Sequence, residues 1–370
     1  MKTGVIRAYM LKEFRELLRS RLIVIVYALP TMIVILFGYG IRLDVTDART
    51  VILDHDHGQL ARNLASAFEH SRYFDVQPPA ASEAEALRRI KRAQTDIVVV
   101  IPDGFERRLR HGRKSEIAVF IDGAFPTRAS TMQQYVEGVI LDAASKAMPA
   151  PPKGLIVVNN RNLFNQAMRN ENAIVPGLIG LVLLVAPAIL AALLVVREKE
   201  EGTIFNFYAS PVSKTEFLIA KLSPAFVLHS VNIFILFLWA TWLFDVPFRG
   251  SFALYWLAGE LYILVSIGIG LLVSIVTSTQ IVAIVLTIII TIIPGFLYSG
   301  MLMPISSMQG ESVIEAHLYP VMYYNHLLYD TFLVGQGLSA PKNLLYLCIL
   351  AAYAVGVLAL GSYLVKKELR

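Results

Sequence analysis

The sequence predicts a polytopic α-helical membrane protein, six transmembrane helices with an inserted α/β domain, and three observations carry that prediction. Hydrophobic residues make up 56% of the 370 residues and charged residues 16%, with a mean hydropathy of +0.59. A soluble chain balances roughly 45–50% apolar against about 25% charged residues. Six stretches, at about 22–41, 173–196, 222–244, 252–276, 281–303 and 343–365, each reach the roughly 20 apolar residues that a hydrocarbon core demands of a helix. Between the first two lies a block, 42–172, in which short apolar runs alternate with amphipathic ones, as strands and covering helices do.

The elements follow in chain order. Residues 5–19 place Val5, Ile6, Tyr9, Met10, Phe14, Leu17 and Leu18 at helical intervals, with Lys12, Glu13, Arg15, Glu16 and Arg19 elsewhere on the wheel. That pattern fits a helix lying on the membrane surface within a 1–21 leader, or a plain basic flank to the first span. A cleavable signal peptide fits less well, because the basic region is long and GYGIRLD offers no small-residue cleavage site. In the block after the first span, strands are expected at 50–53, 74–76, 96–101 and 116–121. Helices are expected at 59–70, 83–92, from Pro102-Asp103-Gly104 to about 110, and at 126–146. Stalks at 42–49 and the Pro-rich 148–154 would carry this domain. Asp54-His55-Asp56-His57 contains metal-ligating types, but neighbours in an extended chain point to opposite faces, so a strand-end turn is the better reading. The single cysteine, Cys348, lies in the last span, which leaves the inserted domain without a disulfide.

Orientation follows from the short segments. Lys2, Arg7, Lys12, Arg15, Arg19 and Arg21 precede the first span; Arg197, Lys199, Lys214 and Lys221 occupy 197–221; Lys366, Lys367 and Arg370 form the 366–370 tail. The opposing short segments hold only Arg249 and Lys342. Both termini and the 197–221 loop are therefore expected in the cytoplasm, with the inserted domain outside. The net charge of +5 is mostly this signal and argues for no nucleic-acid partner.

Polar residues within spans are costly in lipid, which makes His229, Asn232 and Glu260 candidates for a pathway lining or for helix-to-helix hydrogen bonds. Pro294-Gly295 is expected to interrupt the fifth span. The 304–342 segment then holds two apolar pieces too short to cross, consistent with re-entrant or interfacial helices forming an outer gate that includes Tyr319 and Tyr323. Glu311, Glu315 and His317 raise an intramembrane enzyme as a rival, and an outside ligand-sensing receptor is a second. No phosphate loop, nucleophile elbow or H-E-x-x-H motif is present, so no catalytic residues and no bound metal are assigned.

The most informative stretch is REKEEGTIFNFYASP at 197–211. The second span is expected to continue as a helix through Arg197, Glu198, Lys199, Glu200 and Glu201 and to close at Gly202, where a positive φ is needed. Thr203 would cap a short helix over 204–209 with Ile204, Phe207 and Tyr208 on its apolar face, Ser210 following and Pro211 stopping it. Ser213 and Glu216 then make a capping box for the third span.

IVPGLIG at 174–180, the 197–204 clause, YASPVSKTEFLIAK at 208–221, and the IPDGFERRL and DGAFP segments of the inserted domain resemble, in order and spacing, an ABC-2 type permease of the bacterial export branch with a large periplasmic domain after the first helix. The resemblance covers essentially the whole chain. It implies an inner-membrane subunit that pairs with a second permease, identical or paralogous, and docks a separate ABC ATPase. That partner would hold ATP and magnesium; this chain would bind no cofactor. It further implies ATPase contacts from the interfacial helix (Tyr9, Phe14, Arg15) and from 197–210, contact with membrane lipid, a periplasmic adaptor as a further partner, and export of an amphipathic small molecule, drug or lipid.

Overall fold

A computed structural model describes residues 3–20, 22–41, 45–111, 115–123, 126–147, 169–205, 212–301, 305 and 308–365. The chain divides into two units, residues 42–160 and the remainder.

The larger unit is helical and belongs to a multi-pass membrane protein. Six of its helices are long and apolar enough to span: α2 (Leu22–Gly40), α7 (Asn170–Glu200), α8 (Lys214–Leu238, prolonged by a π turn at Trp239–Leu243), α9 (Phe252–Val276), α10 (Gln280–Leu297) and α13 (Pro341–Leu364). An amphipathic α1 (Thr3–Arg19) precedes them, and two short helices, α11 (Glu311–Leu318) and α12 (Pro320–Tyr329), lie between α10 and α13. Each expected span is found. The helix of the third span begins at Lys214, ahead of its apolar run, because the Ser213–Glu216 capping box forms in both directions as expected. The fifth differs: α10 runs through Pro294 and ends at Leu297, with the N–H of Tyr298 donating to Pro294 O at 2.8 Å, so Pro294 is an interior helix residue and not an interruption.

The apolar residues of α7 surround its whole circumference, the signature of a helix enclosed by others. It is accordingly buried along almost its full apolar length and packs against α2, α8, α9, α10 and α12. Close approach needs small residues: a Cβ on Gly270 of α9 would lie 2.1 Å from the carbonyl oxygen of Ala188 in α7. Proline in a spanning helix frees a carbonyl that lipid cannot satisfy. Pro30 frees Val26 O, which accepts from Asn232 Nδ2 at 2.9 Å; Pro224 frees Ala220 O, towards which the Ser223 hydroxyl turns at 3.4 Å. Near Pro176 and Pro187 the carbonyls three residues back, Ala173 and Leu184, accept from the Tyr329 and Ser266 hydroxyls.

The smaller unit is the expected α/β domain. Strands β1 (Ala48–Asp54), β2 (Phe74–Gln77), β3 (Ile97–Ile101) and β4 (Ala118–Ile121) form one sheet in the order β2-β1-β3-β4, with β4 alone antiparallel. Helices α3 (Gln59–Glu69), α4 (Glu83–Lys91), α5 (Phe105–Arg110) and α6 (Pro126–Ala147) connect and cover them. Alternation along the fully buried β3 divides the core: Ile97, Val99 and Ile101 pack towards Leu64, Phe68, Phe105 and Met132, while Val98 and Val100 pack towards Ala86. The Asp54–His57 stretch is a turn, as expected: Asp54 Oδ1 accepts the N–H groups of Asp56 and His57. Asp56 and Glu106 cap reciprocally, Asp56 accepting from Glu106 N and Glu106 from Leu60 N.

Asp96 ties β3 to β1 by accepting from Arg49 N and Nε, both at 3.0 Å, and from Arg49 Nη2 at 3.1 Å. Burial acts to raise this carboxyl, but the Arg49 hydrogen bonds and charge outweigh it and hold the group below the usual carboxylate range. A depressed folded pKa contributes stability that is complete above the unfolded value of about 3.9 and is lost as pH falls through the folded value. Amide protection of β1 and β3 in the detergent-solubilised full chain is therefore expected to fall between pH 5 and pH 3. Asp96→Asn should lower it by about 1.5–3 kcal/mol at pH 7 and flatten that acid slope. Equal protection in the variant at pH 7 would contradict this.

Candidate functional site

Successive helix residues point about 100° apart, so the charged last turn of α7 reaches in several directions at once. Arg197 Nε lies 2.8 Å from Glu201 and its Nη1 3.6 Å from Glu16 of α1. Glu198 Oε1 accepts from Lys221 Nζ of α8 at 2.5 Å, and the same ammonium reaches Glu13 Oε2 of α1 at 2.8 Å. Lys199 Nζ donates to the carbonyls of Ser274, Ile275 and Thr277, where α9 ends and its macrodipole is negative. Glu200 Oε2 accepts the backbone N–H of Gln280 at 3.0 Å and its side-chain amide at 2.9 Å, where α10 begins and the dipole is positive. One turn of helix thus holds α1, α8, α9 and α10 together, each by the charge sign that its partner requires.

The helix then closes as expected. Glu201 is the C-cap and Gly202 adopts φ 73°, a conformation that other residues reach at a cost. Ile204 and Phe205 begin a helical turn, with Phe205 exposed. Phe207, Tyr208, Ser210 and Pro211 lie outside the described residues.

Glu198 and Glu200 are engaged within the chain, Glu198 half-buried and Glu200 exposed, and Arg197 and Glu201 form a half-exposed pair beside them. The Thr203 hydroxyl donates to the Glu198 carboxylate, and the helix that Thr203 was expected to cap lies mostly outside the described residues. On α1, Glu13 and Leu17 are buried against the bundle, Tyr9 lies 6.3 Å from the Phe217 ring of α8, Phe14 is half-buried and Arg15 is exposed. Burial, with Glu13 beside it, pushes the Tyr9 phenol well above its ordinary range. Sequence reasoning missed Glu13, Lys221 and Gln280. The one local signal was a lysine in the first turns of an otherwise apolar helix.

The other candidates are dispersed. His229 and Asn232 are fully buried on α8; the His229 ring lies 2.9 Å from Ala225 O through Nδ1, and Asn232 bonds to α2 as described. Glu260 of α9 accepts from Ser230 of α8 at 2.8 Å. Asn232 thus joins α8 to α2 and Glu260 joins α9 to α8, while the His229 bond stays within α8. Tyr319 separates α11 from α12 and stacks on Tyr298, one turn beyond Pro294, at 5.8 Å; the Tyr323 hydroxyl donates to His317 O at 2.9 Å. Glu315 accepts from Tyr298, His317 Nδ1 lies 2.7 Å from Val313 O, and Glu311 opens α11, so the three residues of the enzyme alternative have separate engagements. Among the described residues, no group of three His, Cys, Asp or Glu is placed to hold a metal.

Comparison with known proteins agrees with this architecture. A family profile described as "ABC-2 family transporter protein" matches residues 20–363. The chain is 29% identical over 362 residues to the protein named "Probable multidrug ABC transporter permease YbhS" of Escherichia coli strain K12, covering 95% of each chain. It is 26% identical over 356 residues to "Probable multidrug ABC transporter permease YbhR" of the same strain, covering 95% of this chain and 96% of that one. To "Inner membrane transport permease YhhJ", also of that strain, it is 23% identical over 311 residues and covers 80% of each. The chain belongs to the ABC-2 family of transporter proteins.

Proposed function

We propose that this protein is the membrane-spanning subunit of an ATP-driven exporter in the bacterial inner membrane. Two permease subunits, identical or paralogous, form the pathway, and a separate ABC ATPase binds ATP and magnesium. The termini and the loop after α7 face the cytoplasm, and the α/β domain stands on the opposite side, where an adaptor would engage it. The cargo is an amphipathic small molecule, drug or lipid. Family membership supports the class, and the printed names of the relatives support export and the inner membrane.

The observation that carries this reading is the charged turn at the end of α7. The loop it opens leads into the capped start of α8, so a soluble partner gripping that loop moves the central helix and α8 together. Through Lys199 and Glu200, α9 and α10 follow. A partner shifts such an equilibrium only by binding one arrangement better than the other, and ATP provides that difference in the ATPase. The short helices α11 and α12 and their tyrosines then form the exit on the outer side.

The test is reconstitution of the chain with its cognate ABC ATPase, in vesicles loaded with an amphipathic fluorescent dye. ATP-dependent dye movement requiring both proteins is the expected result. Movement driven by this chain alone, or failure of the two proteins to associate, would exclude the reading.

A further inference from the structure

A groove of about 420 Å³ lies between α8, α9 and α13. Its walls come from the first turns of α8, the second half of α9 and the last turns of α13, with Leu222, Phe226, Leu264, Leu271 and Leu358 among them. In the topology proposed above those three ends share one face of the membrane, so the groove occupies the inner-leaflet half.

It exists because the three helices are held apart on one side only. Gly268 and Gly361 let α13 close on α9: a Cβ on either would lie 2.8 Å from Val357 or 2.5 Å from Leu271. The same stretch of α8 is drawn the other way, towards α1, by Lys221 and the Phe217–Tyr9 contact. Two of the groove's hydroxyls are turned into their own helices, Ser223 to Ala220 O and Ser362 to Ala359 O, which leaves the wall apolar. The groove is open on one side rather than enclosed, and its almost wholly apolar wall offers water few partners. At this depth the surrounding apolar material is acyl chain. Lys214, which begins α8 next to the groove-lining Thr215, carries an ammonium at headgroup depth, where it complements a phosphate.

We propose that the groove binds one inner-leaflet phospholipid, an acyl chain between α8 and α13 and its phosphate at Lys214. The lipid sets the spacing of α8 from α13, and α8 carries Lys221 on its other side, so occupancy bears on the charged turn that the exporter reading uses. The inference rests on that reading for its depth.

Native mass spectrometry of the permease–ATPase complex, taken from vesicles of phosphatidylglycerol and phosphatidylethanolamine and washed in detergent, tests it. Wild type should retain one phospholipid per permease chain. Ala359→Trp, which fills the groove, should reduce retention at least tenfold, and Leu264→Phe should do so with a smaller change in volume. Lys214→Ala should shift retention severalfold, and Leu360→Trp, on the opposite side of α13, should retain lipid as wild type does. Equal retention in the two groove-filling variants, no lipid in wild type, or an amphiphile other than a phospholipid in its place would overturn the proposal. Dye movement measured in parallel separates the two readings, because its loss in wild type counts against export whereas lipid retention does not depend on it.

Discussion

Lys221→Met is expected to be the most damaging single substitution outside the apolar core. The Lys221 side chain is 5% exposed and its partners Glu13 and Glu198 are 3% and 18% exposed. Methionine keeps the length of the side chain and removes the ammonium, leaving two carboxylates facing each other in a nearly dry site. Removing one member of a buried ion cluster costs about 3–5 kcal/mol, because the remaining charges lose compensation rather than because the pair was strongly attractive. The melting temperature of the detergent-solubilised chain should fall markedly, and ATP-driven dye movement should be lost. The triple neutral variant Glu13→Gln, Lys221→Met, Glu198→Gln should recover most of the melting temperature, since no unpaired charge remains, but not the transport. An unchanged melting temperature in Lys221→Met would show that the three side chains do not meet.

Ile204→Asp and Phe207→Asp are expected to separate docking from folding. Ile204 begins the helical turn beyond Gly202, and helical spacing in the sequence places Phe207 on its face. A carboxylate buried against a partner without a counter-charge costs well over the 1.4 kcal/mol that makes a tenfold change in affinity. Each variant should lower ATP-driven dye movement and ATPase co-purification at least tenfold while leaving the melting temperature of the chain within a degree or two. Loss of folding with loss of docking would instead make this turn part of the permease core. Charge reversal at Glu198 or Glu200 is a poorer test, because both hold neighbouring helices and would disturb the bundle together with the interface.

The difference between these two tests reflects how information is stored in the chain. Hydrophobic run length, the Gly202 C-terminus and the Ser213–Glu216 box depend on residues within a few positions of one another, and each appears in the structure where the sequence places it. The same holds for the β3 alternation and for the two short helices before α13. Pairings between distant positions are different. Glu198 and Lys221 are 23 residues apart, Lys221 and Glu13 208 apart, and Asn232 lies 206 residues from the Val26 carbonyl that it satisfies. A one-dimensional pattern records that such residues are polar and costly in lipid, but not which neighbour offsets the cost.

The sequence by itself determined the class: a six-span membrane protein with an inserted α/β domain, and a loop after the second span that opens at Gly202 and closes at the Ser213 cap. It did so because lipid forces every span to be long, apolar and internally hydrogen-bonded, and that constraint is local. Only the tertiary structure decided that the REKEE clause is an internal clamp that joins α7 to α1, α8, α9 and α10. Each of its charges has several possible partners in sequence, and helix packing brings one within reach.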